Sequence, residues 1–210
     1  DHPYERPPLS KEMLRGTAEP DPTVLDELPD ELPTEPVSVP SRILSEDGEE
    51  IAVFYEENRT PVPLDEISEH MQHAIVAIED ERFYEHEGVD MQGFARAMVT
   101  NLLAGGVEQG ASTINQQYVK NYLWLVDAQN DEEAQAATEQ SIPRKLREMR
   151  MATKMDEELE KDDILTNYLN LVSFGNHAYG VEAAARTYFD THASELTVPQ
   201  AAMLAGMVQS

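Results

Sequence analysis

The sequence predicts a mainly α-helical domain that follows a short β-hairpin and an extended N-terminal tether. Apolar residues recur at helical spacing after residue 64. Residues that favour the starts and ends of helices bracket these apolar runs. Nine of the 13 prolines lie within residues 1–40. With 210 residues, 40% of them hydrophobic, the chain is long enough for one domain with a sizeable core.

The N-terminal part contains the predicted non-helical elements. Residues 1–40 combine the prolines with many acidic side chains, a composition typical of an extended tether. Residues 41–57 place Asp47 and Gly48 between two apolar runs, which predicts a β-hairpin. We therefore expect the tether to cover residues 1–40 and the folded domain to cover residues 41–210.

Three helices are predicted in the first part of the domain. The apolar face of the first is formed by Leu64, Ile67, Met71, Ile75 and Ile78. The second extends from Met91 to Ala104, where a Gly-Gly pair ends it. The third begins after Thr113, because Thr113 and Gln116 have the spacing of a capping box. The acidic residues 127–140 predict a surface loop.

Four further helices are predicted in the C-terminal part. Ser141 is expected to cap the first of them, with Pro143 in its first turn. The others are predicted near residues 157–171, 179–189 and 198–208. The last begins at Thr197, which has capping-box spacing to Gln200.

The composition disfavours several classes of function. The chain has 41 acidic and 15 basic residues and a formal net charge of -26. This charge disfavours nucleic-acid binding and adhesion to anionic lipid, so we expect no nucleic-acid partner. The absence of cysteine excludes disulfides and thiolate chemistry. No apolar stretch is long enough to span a membrane, and the chain begins without Met, so we expect it to be a piece of a longer protein.

Residues 77–90 form an acidic segment in which one carboxylate is a candidate for chemistry. Glu79 is predicted at the C-terminal end of an apolar helix, where the helix dipole and burial would raise its proton affinity. Such a carboxylate suits a general base. The alternative is an exposed, inert charge at a helix end. His86 suits a ligand, an acid or a structural histidine, and no zinc or di-iron spacing is present.

Residues 108–121 are a candidate binding segment. A helix start at Thr113 offers backbone N–H groups to an anion or a sugar hydroxyl. Gln117 and Lys120 follow Thr113 on one helical face, with Asn121 beside them. These amides and this ammonium group suit sugar or phosphate. The alternative is a cap followed by a polar, solvent-exposed face.

Residues 143–154 contain the densest group of cations in the chain. Five of the 15 basic residues surround Glu148, namely Arg144, Lys145, Arg147, Arg150 and Lys154. Arginine and lysine together suit phosphate or pyrophosphate. The alternative is an ordinary Arg144–Glu148 pair on a solvated helix.

These segments together resemble the peptidoglycan glycosyltransferase domain, glycosyltransferase family 51, of class A penicillin-binding proteins and monofunctional transglycosylases. Residues 79–88 match its first motif, ED-x-x-F-x-x-H-x-G, and residues 110–117 match its second, G-x-STITQQ. Residues 144–148 match the third motif, RK-x-x-E, and residues 164–170 match the fourth, which ends in ILxxYLN. The four motifs occur in the family's order over roughly residues 40–210.

The resemblance implies a fold, an activity and a location. The fold is a lysozyme-like helical domain with a smaller, membrane-facing jaw. The activity is the polymerisation of lipid II into β-1,4-linked glycan with release of undecaprenyl pyrophosphate. The location is the extracytoplasmic face of the bacterial plasma membrane, with a transmembrane anchor before this chain and, in class A proteins, a transpeptidase domain after it. The family's fifth motif is expected beyond Ser210, so the domain is C-terminally incomplete.

The resemblance also assigns roles to individual residues. Glu79 is the expected general base, and Glu148 positions a cation or a base near the leaving pyrophosphate. The pyrophosphate is neutralised by Lys120, Arg144 and Lys145. The sugar and phosphate are oriented by Thr113, Gln117 and Asn121. The cleft of the first motif is shaped by Asp80, Phe83 and His86. A divalent cation, Mg²⁺ or Mn²⁺, often assists members of the family, but the sequence contains no recognisable metal cage.

One departure from the family pattern and two alternative functions remain at this point. Asn115 replaces the usual Thr of the second motif. A lysozyme-like enzyme that cleaves glycan shares the fold class and a catalytic glutamate, but it does not need the cations. A non-catalytic domain that binds lipid II or scaffolds wall-synthesis partners does not need both Glu79 and Glu148.

Overall fold

The computed structural model describes residues 41–45, 47, 50–54, 58–104, 112–127 and 142–208. The predictions for the tether, the hairpin turn at Gly48, the glycines at 105 and 106, the loop at 128–140 and the Ser141 cap lie outside these residues. Within the described part, the chain is mainly helical, as predicted. Its α-helices are α1 (Glu69–Glu79), α2 (Met91–Ala104), α3 (Ile114–Tyr122), α4 (Ile142–Glu158), α5 (Lys161–Leu171), α6 (Val181–Phe189) and α7 (Val198–Val208).

Two small sheets accompany the helices. Strands β1 (Ser41–Leu44) and β2 (Glu50–Phe54) pair antiparallel, which confirms the predicted hairpin, and their register shifts between Ile43 and Leu44. Strands β3 (Asn58–Arg59) and β4 (Ala178–Tyr179) pair in parallel. The second pair was not predicted, because two-residue strands are too short to show alternation.

The first helix begins later than its apolar face suggests. A 3₁₀ turn occupies Leu64–Glu66, and Ile67 is extended with φ -110° and ψ 129°. The Ser68 hydroxyl then accepts the Met71 N–H at 3.2 Å and caps α1. Ile67, Met71 and Ile75 are buried as expected, but Ile78 is 39% exposed, so the predicted face is wrong at its last member.

The two capping boxes predicted from spacing lie at helix starts. Thr113 Oγ1 accepts the Gln116 N–H at 3.3 Å, and Gln116 Oε1 accepts the Thr113 N–H at 3.3 Å, so α3 begins with a complete capping box. At α7 the Gln200 side chain accepts the Thr197 N–H at 2.9 Å. A π-helical turn, Leu123–Asp127, follows α3.

Two helices are shorter than predicted. Helix α5 begins at Lys161 instead of near 157, because α4 continues to Glu158 and the chain breaks helical geometry between them. Helix α6 begins at Val181 instead of 179, because β4 occupies Ala178–Tyr179 and Gly180, at φ +82°, separates that strand from the helix.

Helix α3 lies in the centre of the core. It packs against α4 and α5, while α1 packs against α7. The fully buried side chains of the core include Met71, Phe83, Ile114, Val119, Tyr168, Leu169 and Leu204. No helix in the described part of the chain is both long and apolar enough to cross a membrane. This packing brings the C-terminal end of α1, one face of α3 and the start of α4 to a common cleft.

Candidate active site

A cleft of about 600 Å³ lies between α1, α3 and α4. Six of the residues predicted to form a site line it, namely Glu79, Gln117, Lys120, Asn121, Lys145 and Glu148. Trp124 and Leu125, from the π-helical turn, add an apolar part to its wall. The structure thus brings three separate sequence motifs together around one space.

Glu79 is the last residue of α1 and faces the cleft. Its Oε2 accepts the Gln117 Nε2–H at 2.7 Å, whereas its Oε1 is buried and has no hydrogen-bond partner among the described residues. Burial raises the pKa of the Glu79 carboxyl, the Gln117 hydrogen bond lowers it in part, and the nearby negative charge of Asp80 raises it again. The net effect is a raised proton affinity, which suits a proton acceptor.

Asp80 lies behind the cleft and connects the first motif to α3. Its Oδ2 accepts the Ile114 N–H at 3.0 Å and lies 2.8 Å from His86 Nε2. Both Asp80 and His86 are buried, and neither lines the cleft. Their hydrogen bonds fix the chain that follows Glu79 against the N-terminus of α3.

Phe83 is fully buried and lies beside a lysine that the sequence analysis did not single out. Lys161 Nζ lies 4.9 Å from the centroid of the Phe83 ring and donates to the His86 carbonyl oxygen at 2.7 Å. Lys161 also pairs with Asp156, and Asp156 accepts the Asn115 Nδ2–H at 2.9 Å. Asn115, the departure from the family pattern, therefore supports the acid that holds Lys161.

The signal that identifies Lys161 is its position in its helix. Lys161 is the first residue of α5, at the positive end of the helix dipole, which is an unfavourable place for a cation. A cation at that position needs compensating partners, and the partners here belong to the first motif and to α4. We call Asp80, His86, Asp156 and Lys161 the clamp; Asp80 and His86 are buried, whereas Asp156 and Lys161 are partly buried.

Thr113 also lies away from the cleft. It is 2% exposed, and its hydroxyl donates to the Gly88 carbonyl oxygen at 2.7 Å while accepting from Gln116. Gly88 has φ +79°, and a Cβ there would meet the Ala152 carbonyl oxygen at 2.5 Å. In this structure Thr113 and Gly88 hold the end of the first motif against α3 and α4.

The cationic helix α4 presents Lys145 and Glu148 to the cleft. Glu148 is only 2% exposed and pairs with Arg144 and, at 3.3 Å, with Lys145 Nζ. Lys145 Nζ also donates to Ser112 Oγ at 3.0 Å. The Arg144–Glu148 pair considered as the alternative is thus present, but its carboxylate is buried instead of solvated. Arg144 itself lies outside the cleft lining.

The arrangement of these carboxylates bears on the divalent cation that the resemblance suggests. Among the described residues, no three side chains of the ligating types are grouped so as to hold a metal ion. Both oxygens of Glu148 are already paired with cations, one with Arg144 and the other with Lys145. Glu148 therefore does not fit a metal ligand in this arrangement.

Tyr168, the tyrosine of the fourth motif, is a further residue of the site, and the resemblance gave it no role. It is fully buried in α5, and its hydroxyl donates to Gln117 Oε1 at 2.8 Å. Burial raises its pKa well above the ordinary value, and the negative charges of Glu79 and Asp80 raise it further, so the hydroxyl keeps its proton. The site therefore includes a buried residue that does not line the cleft but contacts a residue that does.

Comparisons with known proteins show which family this chain belongs to. The family model described as Transglycosylase matches residues 47–210. Penicillin-binding protein 1A of Neisseria flavescens is 41% identical over 169 residues, which are 80% of this chain and 20% of that protein. Penicillin-binding protein 1A of Mycobacterium tuberculosis is 43% identical over 171 residues, again 80% of this chain and 20% of that protein.

A third relative extends the same pattern. Penicillin-binding protein 1F of Bacillus subtilis is 38% identical over 167 residues, 80% of this chain and 22% of that protein. This chain therefore spans about a fifth of the length of the curated relatives it matches. Since the family match covers the cleft and every element around it, the chain belongs to the transglycosylase family.

Proposed function

We propose that this chain is a peptidoglycan glycosyltransferase domain that polymerises lipid II into β-1,4-linked glycan strands, with inversion and release of undecaprenyl pyrophosphate. One observation carries the proposal. Glu79, with a raised pKa and a carboxylate oxygen that has no partner among the described residues, shares a cleft with Lys120 and Lys145. A base and cations that line one space suit attack by a hydroxyl on a donor that carries a phosphate leaving group.

The reaction requires one proton transfer and one substitution. Glu79 removes the proton from the 4-hydroxyl of the acceptor sugar, and that oxygen forms a bond to the anomeric carbon of the donor. The bond from the anomeric carbon to the pyrophosphate oxygen breaks, and the pyrophosphate leaves with the electron pair. A single displacement inverts the anomeric centre, so no covalent enzyme intermediate is needed. The proton remains on Glu79 until solvent removes it.

The cations of the cleft stabilise the charge that develops on the leaving group. Lys120 and Lys145 line the cleft and supply this positive charge. Glu148 acts through Lys145, because it is buried and pairs with Lys145 at 3.3 Å. Asn121 lies beside them and orients the sugar. In this mechanism Arg144 supports Glu148 and does not contact the substrate.

The location and partners belong to the same proposal. Helix α2 exposes Met91, Phe94 and Val99 by 63%, 50% and 58%, which supports a jaw that contacts the membrane surface. We place the domain on the extracytoplasmic face of the bacterial plasma membrane, where it meets lipid II and the growing strand. The greater length of the penicillin-binding relatives supports a transmembrane anchor and a transpeptidase domain elsewhere in the protein.

The decisive experiment measures lipid II polymerisation by the full-length protein with Glu79→Gln. We expect turnover to fall by about 10²- to 10⁴-fold, the usual contribution of a general base. Glu81→Gln is the matched control, because Glu81 is an exposed carboxylate two residues away. Glycan products are resolved on a gel over time.

The same assay separates the alternative functions. Normal turnover by Glu79→Gln would show that Glu79 is not the base. Fragments released from finished peptidoglycan without consumption of lipid II would identify a glycan-cleaving enzyme. Binding of lipid II by the wild-type protein without any glycan product would identify a scaffold.

A further inference from the structure

We propose that Tyr168 is a positioning residue for the transfer reaction: it holds the side-chain amide of Gln117 in the one orientation that donates to Glu79. This inference deepens the proposed function and rests on it, because it takes Glu79 as the base. It also replaces the interpretation of Gln117 as a group that only orients the sugar.

Three helices contribute one side chain each to the underlying hydrogen-bond chain. The Tyr168 hydroxyl of α5 donates to Gln117 Oε1 at 2.8 Å, and Gln117 Nε2 of α3 donates to Glu79 Oε2 of α1 at 2.7 Å. Tyr168 is fully buried, and Gln117 and Glu79 are partly buried at the cleft wall. The chain therefore runs from the core to the cleft.

The chemistry of the amide explains why it needs a partner on its far side. The two ends of a glutamine amide have nearly the same shape, but one end only accepts hydrogen bonds and the other only donates them. Turning the Gln117 amide over would direct its oxygen at the Glu79 carboxylate. The Tyr168 hydroxyl would then accept from the NH₂ group, and its own buried proton would lose the acceptor that it has among the described residues. Each neighbour thus favours the observed orientation, and Tyr168 does so whether or not Glu79 is charged.

The fixed amide distinguishes the two oxygens of the base. Gln117 occupies Oε2, whereas Oε1 is buried and has no partner in the described part of the chain. Gln117 therefore fixes the orientation of the Glu79 carboxyl group at the cleft wall. Burial has the largest effect on the pKa of Glu79 and raises it. The Gln117 hydrogen bond lowers this pKa, and the smaller effect of the Asp80 charge raises it. The other charged groups lining this cleft are Lys120, Lys145 and Glu148.

The test uses Tyr168→Phe and a matched control in the full-length protein. Phenylalanine keeps the buried ring and removes only the hydroxyl. Tyr188→Phe is the control, because the Tyr188 hydroxyl donates to the Phe174 carbonyl oxygen at the same distance, 2.8 Å, and does not line the cleft. For each variant, kcat/KM of lipid II polymerisation is measured as a function of pH, and folding is checked by the thermal unfolding midpoint.

The inference predicts a specific difference between the two variants. Tyr168→Phe lowers kcat/KM at neutral pH by roughly tenfold and shifts the acid limb of the pH profile to higher pH, because a less well-held Gln117 donates less to the Glu79 carboxylate. Tyr188→Phe leaves the profile unchanged. If Tyr168→Phe and Tyr188→Phe have the same profile, Tyr168 is a core residue without the proposed role.

A double-mutant cycle completes the test. In a Gln117→Ala background, Tyr168→Phe should have no further effect on the profile, because the hydroxyl acts only through the amide. An equal loss in both backgrounds would overturn the inference. Failure of the proposed function is recognised separately, since it would appear as normal turnover by Glu79→Gln. A Tyr168→Phe profile equal to that of the control, together with an inactive Glu79→Gln, would overturn only the role of Tyr168.

Discussion

Glu79 and Glu182 are two glutamates of the same domain whose surroundings shift their proton affinities in opposite directions. Glu79 is the last residue of α1 and accepts one side-chain hydrogen bond. Glu182 lies in the first turn of α6 and accepts from the Ala193 N–H at 2.7 Å and Arg186 Nε at 2.7 Å, with His192 Nδ1 at 3.0 Å. The two glutamates thus differ in position, since one lies at the C-terminal end of its helix and the other at the N-terminal end. They also differ in the number of hydrogen-bond donors that contact the carboxylate.

The pKa values follow these surroundings. Burial acts to raise the pKa of Glu182, but the hydrogen bonds from Ala193, Arg186 and His192 and the charge of Arg186 together lower it. For Glu79, burial dominates and a single amide opposes it, so the pKa is raised. A carboxylate with full hydrogen bonding at a helix N-terminus stabilises a fold, whereas an under-satisfied one at a C-terminus is available for chemistry.

The largest expected effect on stability comes from removing the carboxylate with the most partners. Glu182→Ala leaves the buried Ala193 N–H without an acceptor and should lower the free energy of unfolding by about 2–3 kcal/mol. Urea denaturation measures the loss. Glu157→Ala is the control, since Glu157 is 65% exposed and lies 3.9 Å from Lys154. If the two variants are equally stable, Glu182 does not stabilise the fold as proposed.

A smaller effect on stability is expected from the clamp. Lys161→Met keeps much of the aliphatic stem and removes the ammonium group that donates to the His86 carbonyl oxygen and pairs with Asp156. We expect a loss of about 1–2 kcal/mol in unfolding free energy and a reduced kcat, because the chain after Glu79 is held less firmly.

The control for this change is a more exposed lysine nearby in the chain. Lys154→Met removes a lysine that pairs with Glu158 at 3.1 Å and is 41% exposed. Such a surface pair contributes little. If Lys161→Met and Lys154→Met have the same stability and the same kcat, the clamp does not support the base.

The smallest expected effect is also the most diagnostic, because Glu79→Gln should raise the stability of the folded state instead of lowering it. A raised carboxyl pKa means that the folded state binds the proton more tightly than the unfolded chain, so its stabilising contribution is present at low pH and is lost as pH rises through the folded pKa. At pH 7 Glu79→Gln should therefore unfold at a higher temperature than the wild type, although we expect its turnover to be much lower. The gain should disappear below about pH 4, where the unfolded glutamate is also protonated.

Glu182 should show the opposite pH dependence. Its lowered pKa contributes stability above the unfolded value, and this contribution is lost as pH falls through the folded pKa. Glu182→Gln should therefore be less stable than the wild type at pH 7, with a difference that shrinks below about pH 4. Thermal unfolding of both variants between pH 3 and 8 checks the two signs. If Glu79→Gln unfolds at a lower temperature than the wild type at pH 7, the two glutamates do not affect stability in opposite directions.

The sequence predicted the parts of the fold that depend on local chemistry. The bounds of α2 and the capping box at Thr113 were predicted correctly, because a helix start depends on residues within one turn. The start of α1 was wrong, because Ser68 caps the helix although Leu64 and Ile67 continue its apolar period. The β3–β4 pairing joins residues about 120 positions apart and leaves no local pattern.

The sequence predicted which motifs form the site, but it did not predict the burial and hydrogen bonds of their side chains. The position of Glu79 at a helix end followed from the apolar period, and the structure gives it the expected direction of pKa shift. The burial of Glu148 was not predictable, because a cationic helix in an acidic chain suggests a solvated face. Tyr168 was hidden for a related reason, since a tyrosine in an apolar helix indicates core packing and its hydroxyl partner lies in another helix.

The hydrogen bonds that arrange the site join residues far apart along the chain. Ile114 and Asp80 are 34 positions apart, Gln117 and Glu79 are 38, and Lys161 and His86 are 75. A helix can form within about a microsecond, whereas contacts between distant segments must first overcome the entropy of closing long loops. A folding intermediate that already contains its helices therefore still lacks a competent base, and recovery of activity marks the completion of folding more closely than recovery of helix content does.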